Sequence, residues 1–267
     1  MPFATRDNLR LDGAPPSSGG GGPPPRLAAI SFAFGRSNPG AIGPLASLSM
    51  AVPGQKDPSK FVSGAKTVKE SATGLEFSAE YCTRGASGCT TVAGLGVRAK
   101  RILGLKNINV YAVGLYVDPS GLRAKLAKYK GQNQDKLVAD SSLYKDFVAA
   151  KGVDKTVRLI INYGNISSDT FSNALKERME PGLKKAGEMH TMDAFTDQFV
   201  GVKFRKGLDI TFALAGDTMV TRIDGKQVGK ITSPKLNEVL LGVYLGDSPV
   251  SEDAKKNFGS GLAALLA

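Results

Sequence analysis

A single arginine is the first residue in this chain whose position suggests a binding chemistry. Residues 94–118 read GLGVRAKRILGLKNINVYAVGLYVD. Residues 107–117 are rich in Val, Ile and Tyr and are apolar at consecutive positions, which is typical of a strand covered on both faces. Arg98 precedes this strand and follows a Gly-Leu-Gly-Val approach, so we expect its guanidinium to point at an apolar surface. Because a buried guanidinium needs an anionic partner, the stretch predicts either a site for an anionic ligand or an ion pair with an internal carboxylate.

The same stretch contains a loose version of the glycine-rich fingerprint of dinucleotide-binding proteins. Gly94, Gly96 and Ala99 match the relaxed pattern, and Asp118 lies near the distance expected of a ribose-binding carboxylate. That fold needs a crossover of a dozen or more residues, usually helical, between its parallel strands. Only about eight residues, Gly104 among them, separate the two β-type runs here. The spacing therefore disfavours a nucleotide site.

Cysteine and histidine are scarce in the chain. The two cysteines are Cys82 and Cys89, within YCTRGASGC, and the one histidine is His190. The histidine is far in sequence from both thiols, so the spacing typical of zinc sites is absent, and no metal or other cofactor is predicted. In a large domain without a secretory signal, two cysteines are more often free thiols of a reducing compartment than a disulfide. We expect free thiols, with a disulfide across the glycine-rich loop as the alternative.

The composition describes a globular protein with a basic surface. The net charge is +11, but Lys and Arg are interleaved with Asp and Glu instead of forming a stripe beside aromatic residues. Nucleic-acid binding would require a patterned basic surface and a recognisable module, so it is not predicted, whereas an anionic ligand is compatible with the charge. No apolar run approaches the ~18 residues that a membrane-spanning helix requires.

The first 65 residues differ from the rest of the chain. They contain SSGGGGPPP and AIGPLASLSM, carry arginines but few acidic residues, and have no sustained helical or strand period. This composition is typical of an organellar transit peptide, since a secretory signal would show a compact apolar core. We interpret residues 1–65 as a plastid leader, with a plain disordered extension as the alternative. Residues 66–267 are then one domain, and the mature protein is expected in the plastid stroma.

The order of predicted elements defines the fold class. β-type runs occupy residues 67–117, 156–163 and 208–232, and residues 90–97 and 100–105 are predicted as separate runs within the first. Helical patterns fill the stretches between and after these runs. The predicted helix N-caps are Ser120, Ser141 or Ser142, Ser167, Thr191, Ser233 and Ser251. Successive strands without helices between them pair antiparallel, so the chain is predicted to be α+β, with helices layered on an antiparallel sheet.

Several segments together resemble the chalcone isomerase family. They are GVR at 96–98, YAVGLYV at 111–117, LRAKLAKYKG at 122–131 and SPKLNEVLLGVYLGDSPVS at 233–251. The resemblance covers about residues 68–266. It implies an open-faced β-sandwich, in which a large antiparallel sheet carries helices on one face and a ligand cleft lies between the two layers.

The resemblance also implies which residues line the cleft. Arg98 matches the arginine of the isomerases, whereas their other polar positions differ here. Tyr111 replaces a threonine, Phe171 a tyrosine, Arg178 an asparagine and Val243 a polar residue of a late helix. Phe171 and Val243 donate no hydrogen bond to an enolate, so the cleft is more apolar than that of an isomerase.

A guanidinium and a phenol beside an apolar cleft suit a fatty acid carboxylate. This combination resembles the fatty-acid-binding members of the family, and it predicts a protein that binds a free fatty acid or another small apolar carboxylate without catalysis. The first alternative is an isomerase-type intramolecular lyase that cyclises a chalcone or related enone. A second alternative is a partner that modulates another enzyme.

Overall fold

The computed structural model describes residues 66–82, 89–102 and 106–267, so the predicted leader over residues 1–65 lies outside the described part of the chain. The strands are β1 (Thr67–Lys69), β2 (Glu76–Ser78), β3 (Glu80–Cys82), β4 (Cys89–Ile102), β5 (Lys106–Val117), β6 (Lys155–Ile161), β7 (Asp209–Ala215), β8 (Thr218–Ile223) and β9 (Lys226–Thr232). The helices are α1 (Pro119–Lys125), α2 (Gln134–Ala139), α3 (Ser141–Ala149), α4 (Ser168–Ala186), α5 (His190–Thr196), α6 (Pro234–Leu245) and α7 (Glu252–Leu266).

One large antiparallel sheet organises the domain. Strands β3 to β9 pair in sequence order, so each strand is hydrogen-bonded to its neighbours along the chain. Strands β1 and β2 form a separate hairpin. The predicted α+β fold with a large antiparallel sheet and layered helices is therefore confirmed.

Strand β5 is covered on both faces, as its sequence predicts. Tyr111, Val113 and Leu115 belong to the main core formed with the helices. Ala112 and Tyr116, at the alternate positions, pack with Phe77 of the hairpin on the opposite face. Because side chains alternate along a strand, helices cover one face of the sheet and the hairpin covers part of the other.

Three of the six predicted helix caps are observed. The side chains of Ser167, Ser233 and Ser251 accept hydrogen bonds from backbone N–H groups in the first turns of α4, α6 and α7. The predicted cap Thr191 lies inside α5, which has no side-chain cap. Two more caps differ from the prediction, because aspartates just upstream are the better acceptors. Asp118 caps α1 in place of Ser120, and Asp140 caps α3. No helix in the described part of the chain is long and apolar enough to cross a membrane.

Glycines of β4 allow a helix to lie directly on this strand. The predicted runs 90–97 and 100–105 are one strand, β4, up to Ile102. A Cβ atom on Gly96 would lie 2.3 Å from the Cβ of Ala254, and one on Gly94 would lie 2.7 Å from the carbonyl oxygen of Asn257, both on α7. Since β4 also pairs antiparallel with β5, these glycines serve helix packing and not a nucleotide-binding crossover.

The expectation of free cysteines is wrong. Cys82 and Cys89 form a disulfide, with their Cα atoms 3.9 Å apart. Strands β3 and β4 pair in a register that places these two residues directly opposite each other. Sequence spacing alone did not reveal this register, since it depends on how the two strands align.

Candidate functional site

Arg98 and Tyr111 are direct neighbours across two strands. They are Cα partners in the antiparallel pairing of β4 and β5, so both side chains emerge on the same face of the sheet. The guanidinium carbon of Arg98 lies 5.9 Å from the centroid of the Tyr111 ring. Tyr111 is fully buried, whereas Arg98 is half-buried. The structure thus brings together the two residues that sequence analysis assigned to an anionic head group.

A β-bulge beside this pair shapes the site. The register passes from Arg98 and Tyr111 to Ala99 and Asn109, which leaves Val110 as the extra residue on β5. The carbonyl of Val110 accepts hydrogen bonds from the backbone N–H groups of Asn162 and Tyr163, at 2.9 and 3.0 Å. A bulge redirects side chains that would otherwise alternate. Val110 and Tyr111, which are consecutive in the chain, therefore both line the same cavity.

The cavity lies between the ends of β4 and β5, the loop after β6 and the first turns of α4, and its volume is about 430 Å³. Its described lining residues are Arg98, Lys100, Arg101, Val110, Tyr111, Tyr163, Asn165, Ile166, Thr170, Phe171 and Ala174. The volume is in the usual range for small-molecule sites, which are mostly apolar with a few polar groups. None of these lining residues is acidic, so the cavity favours an anion.

Arg98 takes part in none of the ion pairs formed between described residues. Its guanidinium faces an aromatic ring on one side and the cavity on the other. The alternative of an internal carboxylate partner is therefore not observed in the described part of the chain. A half-buried cation in this setting is available to a ligand carboxylate.

Tyr244 of α6 adds a second buried phenol, which sequence analysis missed. Its hydroxyl oxygen lies 3.2 Å from that of Tyr111, within hydrogen-bonding distance. Burial raises the pKa of the Tyr244 phenol well above its ordinary value, and Tyr111 adds to the rise while the charge of Arg98 opposes it. Tyr244 therefore stays protonated and keeps its O–H donor. Its sequence signal is weak, since it sits within the apolar run VLLGVYL.

An aromatic wall closes the cavity on the α4 side. Phe171 lines the cavity and meets the Tyr111 ring edge-on, with centroids 6.4 Å apart. Behind it, the rings of Phe199 and Phe204 lie 5.3 and 5.0 Å from the Phe171 ring. These contacts hold an apolar surface beside the cation and the phenol.

The other two predicted site residues lie outside the described lining of this cavity. Arg178 is exposed and donates a hydrogen bond to the carbonyl of Ser248 at 3.1 Å. It lies two helical turns beyond Phe171, about 10 Å along α4. Val243 is buried in the core at 3% exposure, while the adjacent residue, Tyr244, reaches Tyr111. The geometry therefore brings together Arg98, Tyr111 and Phe171 and leaves Arg178 and Val243 apart from them.

The aspartate proposed for a ribose contact has another role. Asp118 accepts hydrogen bonds from the backbone N–H groups of Ser120 and Gly121, at 2.9 and 3.0 Å, at the start of α1. Among the residues the structure describes, no group of three or more His, Cys, Asp or Glu side chains has the arrangement of a metal site. The cation-lined cavity is thus the best-formed candidate site in the described domain.

An antiparallel sheet with helices on one face, and between them an apolar cavity headed by an arginine and a phenol, defines an α+β protein with a cavity suited to a small anionic ligand. The family model described as chalcone isomerase-like matches residues 89–258. The chain belongs to this chalcone isomerase-like family, which confirms the resemblance seen in the sequence.

Relatives within the family include binding proteins. Fatty-acid-binding protein 2 of Arabidopsis thaliana is 30% identical over 208 residues, which cover 74% of this chain and 51% of the relative. The chain thus spans about half the length of that protein. The crystal structure of the Arabidopsis thaliana fatty-acid binding protein AtFAP1 superposes with a TM-score of 0.66 at 28% identity and covers 75% of this chain and 99% of that one.

The similarity extends to enzymes. Chalcone–flavanone isomerase 1A of Glycine max is 26% identical over 204 residues, which cover 72% of this chain and 92% of the isomerase. The family therefore contains both binding proteins and isomerases, and the chemistry of the cavity decides between them.

Proposed function

We propose that this protein binds a free fatty acid in the cavity without catalysing a reaction, and that Arg98 and Tyr111 hold the carboxylate. The observation that carries the proposal is a half-buried arginine beside a buried phenol, in a cavity without a described acidic lining residue. The similarity to fatty-acid-binding proteins supports it.

The tail of the ligand supplies most of the affinity. Val110, Ile166, Phe171 and Ala174 give the cavity apolar walls. Burying an alkyl chain gains about 0.8 kcal/mol per methylene, so a dozen carbons give a gross gain of about 10 kcal/mol. Much of this gain is offset by the freedom that the ligand loses on binding.

The head group supplies orientation. A charge-assisted hydrogen bond contributes about 1.5 to 3 kcal/mol, and the planar guanidinium matches the two oxygens of a carboxylate. When the Tyr111 hydroxyl donates a hydrogen bond to the carboxylate, the Tyr111 oxygen can still accept a hydrogen bond from the Tyr244 hydroxyl. The protonated state of Tyr244 makes it a suitable donor, so the two phenols form a relay of hydrogen bonds toward the ligand.

The direct test is lipid analysis of the purified protein. After expression in bacteria, lipid extracted from the wild type is compared by mass spectrometry with lipid from an Arg98→Ala variant. We expect co-purified fatty acid in the wild type and a marked loss in the variant. Absence of fatty acid from both, or equal amounts in both, would contradict the proposal.

An isomerase is the second candidate, because the isomerase relative aligns over 92% of its own length and the two phenols are O–H donors. Against it, Phe171 lies at the cavity wall and offers no donor to an enolate. Incubation with a chalcone distinguishes the two functions. Cyclisation well above the spontaneous rate, lost in Arg98→Ala, would favour the isomerase.

We further propose that the protein acts in plastid fatty-acid metabolism and resides in the stroma after removal of an N-terminal transit peptide that lies within residues 1–65. The acid-poor, Ser/Ala/Gly/Pro-rich composition of that segment supports this proposal, as does the plant origin of the relatives. Imaging of the full chain and of a version lacking residues 1–65, both fused to a fluorescent protein, tests it. We expect the full-chain fusion to enter plastids and the fusion lacking residues 1–65 to stay outside them. The same distribution of the two fusions would contradict the proposal.

A further inference from the structure

Two exposed cations extend the cavity outward from Arg98. Lys100 and Arg101 line the same cavity, are exposed, and take part in none of the ion pairs between described residues. One carboxylate is satisfied by Arg98 and Tyr111, so Lys100 and Arg101 exceed what a single fatty acid head group needs. Their charge is available to a second anionic partner at the cavity entrance.

The loop before β7 lies beside this mouth and adds to its character. Phe199 and Phe204 anchor the loop on Phe171, and a Cβ atom on Gly164 would lie 2.8 Å from the backbone nitrogen of Lys206. Gly164 lies between the lining residues Tyr163 and Asn165. The loop before β7 is therefore adjacent to the cavity at Lys206.

This loop presents one exposed apolar side chain and, further along, two exposed lysines. Val200 is 76% exposed, the highest value among the large apolar residues that the structure describes. Lys203 and Lys206 are also exposed and belong to none of the ion pairs between described residues. Exposed lysines in the same loop as an exposed apolar residue are typical of surfaces that lie at the boundary of an anionic bilayer.

Nearby acidic residues do not cancel this charge. Asp224 pairs with Arg205 at 2.6 Å, so that pair contributes no net charge. Asp169 is exposed in the first turn of α4, and Asp193 and Asp197 are exposed in α5 and directly after it. They stand against four exposed cations, which are Lys100, Arg101, Lys203 and Lys206. The mouth keeps an excess of positive charge.

We propose that Lys100, Arg101, Val200, Lys203 and Lys206 form a surface, here called the basic mouth, that docks on an anionic lipid bilayer. Docking places the cavity entrance against the membrane, so that a fatty acid passes between bilayer and cavity without crossing water. The transfer rests on the proposed function, whereas docking itself does not. A bilayer fits better than a protein partner, because a stable protein interface buries about 1,200 to 2,000 Å² around an apolar centre. Val200 is the one large apolar residue of this mouth among the exposed ones described.

The test measures docking first, without fatty acid. Wild-type protein is sedimented with vesicles of phosphatidylcholine alone and of phosphatidylcholine mixed with phosphatidylglycerol. We expect binding to the mixed vesicles only, weakened by salt, because the attraction is screened. A Lys203→Glu/Lys206→Glu variant is expected to bind the mixed vesicles at least about tenfold more weakly. Val200→Gln tests the apolar contact separately and should weaken binding by a smaller factor.

A matched control separates a local surface from overall charge. Lys184 and Lys185 are exposed at the far end of α4, about 20 Å along the helix axis from Thr170. Lys184→Glu/Lys185→Glu makes the same change in net charge and should bind vesicles as the wild type does. Equal loss in both double variants, or wild-type binding that ignores phosphatidylglycerol, overturns the proposal. Failure to bind either vesicle also overturns it and leaves an acidic protein as the remaining partner.

Fatty-acid binding is also measured in solution without vesicles. This measurement separates a failure of the proposed docking surface from a failure of the proposed fatty-acid binding. Lys203 and Lys206 lie outside the described cavity lining, so their double variant should bind fatty acid as the wild type does. It should nevertheless take fatty acid from mixed vesicles more slowly. If the wild type binds fatty acid but not vesicles, the docking surface is wrong and the proposed function stands. If the wild type binds vesicles but not fatty acid, the docking surface stands and the proposed function is wrong.

Discussion

Two arginines on opposite faces of the same sheet have different electrostatic surroundings. Arg158 of β6 donates from Nε and Nη2 to Asp209 Oδ2, at 2.9 and 2.7 Å. Burial lowers the pKa of Arg158, but the charge and hydrogen bonds of Asp209, together with Tyr116, outweigh burial and raise the pKa above its ordinary value. Arg98 of β4 also lies over an aromatic ring, yet it has no carboxylate partner among the described residues. Asp209 therefore balances the charge of the first arginine, whereas the proposed fatty acid would balance the charge of the second.

The comparison teaches that burial of a cation does not by itself mark a binding site. Arg158 lies over Phe77 of the hairpin, and its side chain is only 16% exposed. What differs is the neighbouring acid and the presence of a cavity. Four variants test this contrast, from the largest expected effect to the smallest.

Arg158→Ala is expected to cost about 3 kcal/mol of the free energy of unfolding, because it leaves Asp209 partly buried without its partner. Urea unfolding measures the loss. Fatty-acid binding by the folded variant should be unchanged, since Arg158 lies on the face away from the helices. A loss of less than about 0.5 kcal/mol would mean that the ion pair contributes no more than a surface pair.

A third cation, Lys155, is buried without a carboxylate partner among the described ion pairs, and it should make the free energy of unfolding depend on pH. Burial lowers its pKa to about 8, although its Nζ donates to the carbonyl of Ala150 at 2.7 Å. Between about pH 8 and the ordinary lysine value of 10.5, the unfolded chain binds the proton and the folded chain does not. The contribution of Lys155 to stability should therefore rise across this window, by about 3 kcal/mol in total.

The control for Lys155 is its replacement by methionine. Lys155→Met removes the titrating group and keeps most of the apolar length, so the difference between the two unfolding profiles isolates Lys155. We expect the wild type alone to gain stability as pH rises from 8 to 10.5. Parallel profiles would show that the buried lysine keeps its ordinary pKa.

Arg98→Ala reverses the pattern of Arg158→Ala. We expect a tenfold to hundredfold loss of fatty-acid affinity, as follows from about 1.5 to 3 kcal/mol for a charge-assisted contact. The free energy of unfolding should change by no more than about 0.5 kcal/mol, because no described carboxylate is left unpaired. Titration with a fluorescent fatty acid and urea unfolding measure the two quantities. A large loss of stability with intact binding would place Arg98 with Arg158 as a structural arginine.

Tyr244→Phe tests the relay behind the site and should have the smallest effect. It removes one hydroxyl from the buried pair, and we expect about a fivefold loss of fatty-acid affinity, as for a hydrogen bond of about 1 kcal/mol. In a Tyr111→Phe background the same change should have no further effect on affinity. Equal losses in both backgrounds would show that Tyr244 does not act through Tyr111.

The sequence by itself determined the type and order of most elements. The unbroken apolar run of β5, the alternation in other strands and the serine caps of α4, α6 and α7 are local patterns, and the structure follows them. Between β5 and β6 the pattern predicts two helices, whereas the structure has three, with α2 capped by Asn133. Local periodicity thus fixes the type of an element better than its boundaries.

Only the tertiary structure decided which side chains meet. The disulfide depends on the register of β3 and β4, the cavity depends on the bulge at Val110, and Tyr244 reaches Tyr111 from a helix 133 residues further along the chain. Each of these contacts depends on how distant segments align and pack, which no local pattern records. Arg98 was recognisable from the sequence because a lone cation on an apolar stretch needs a partner, but the absence of a described internal partner became visible only in the folded chain.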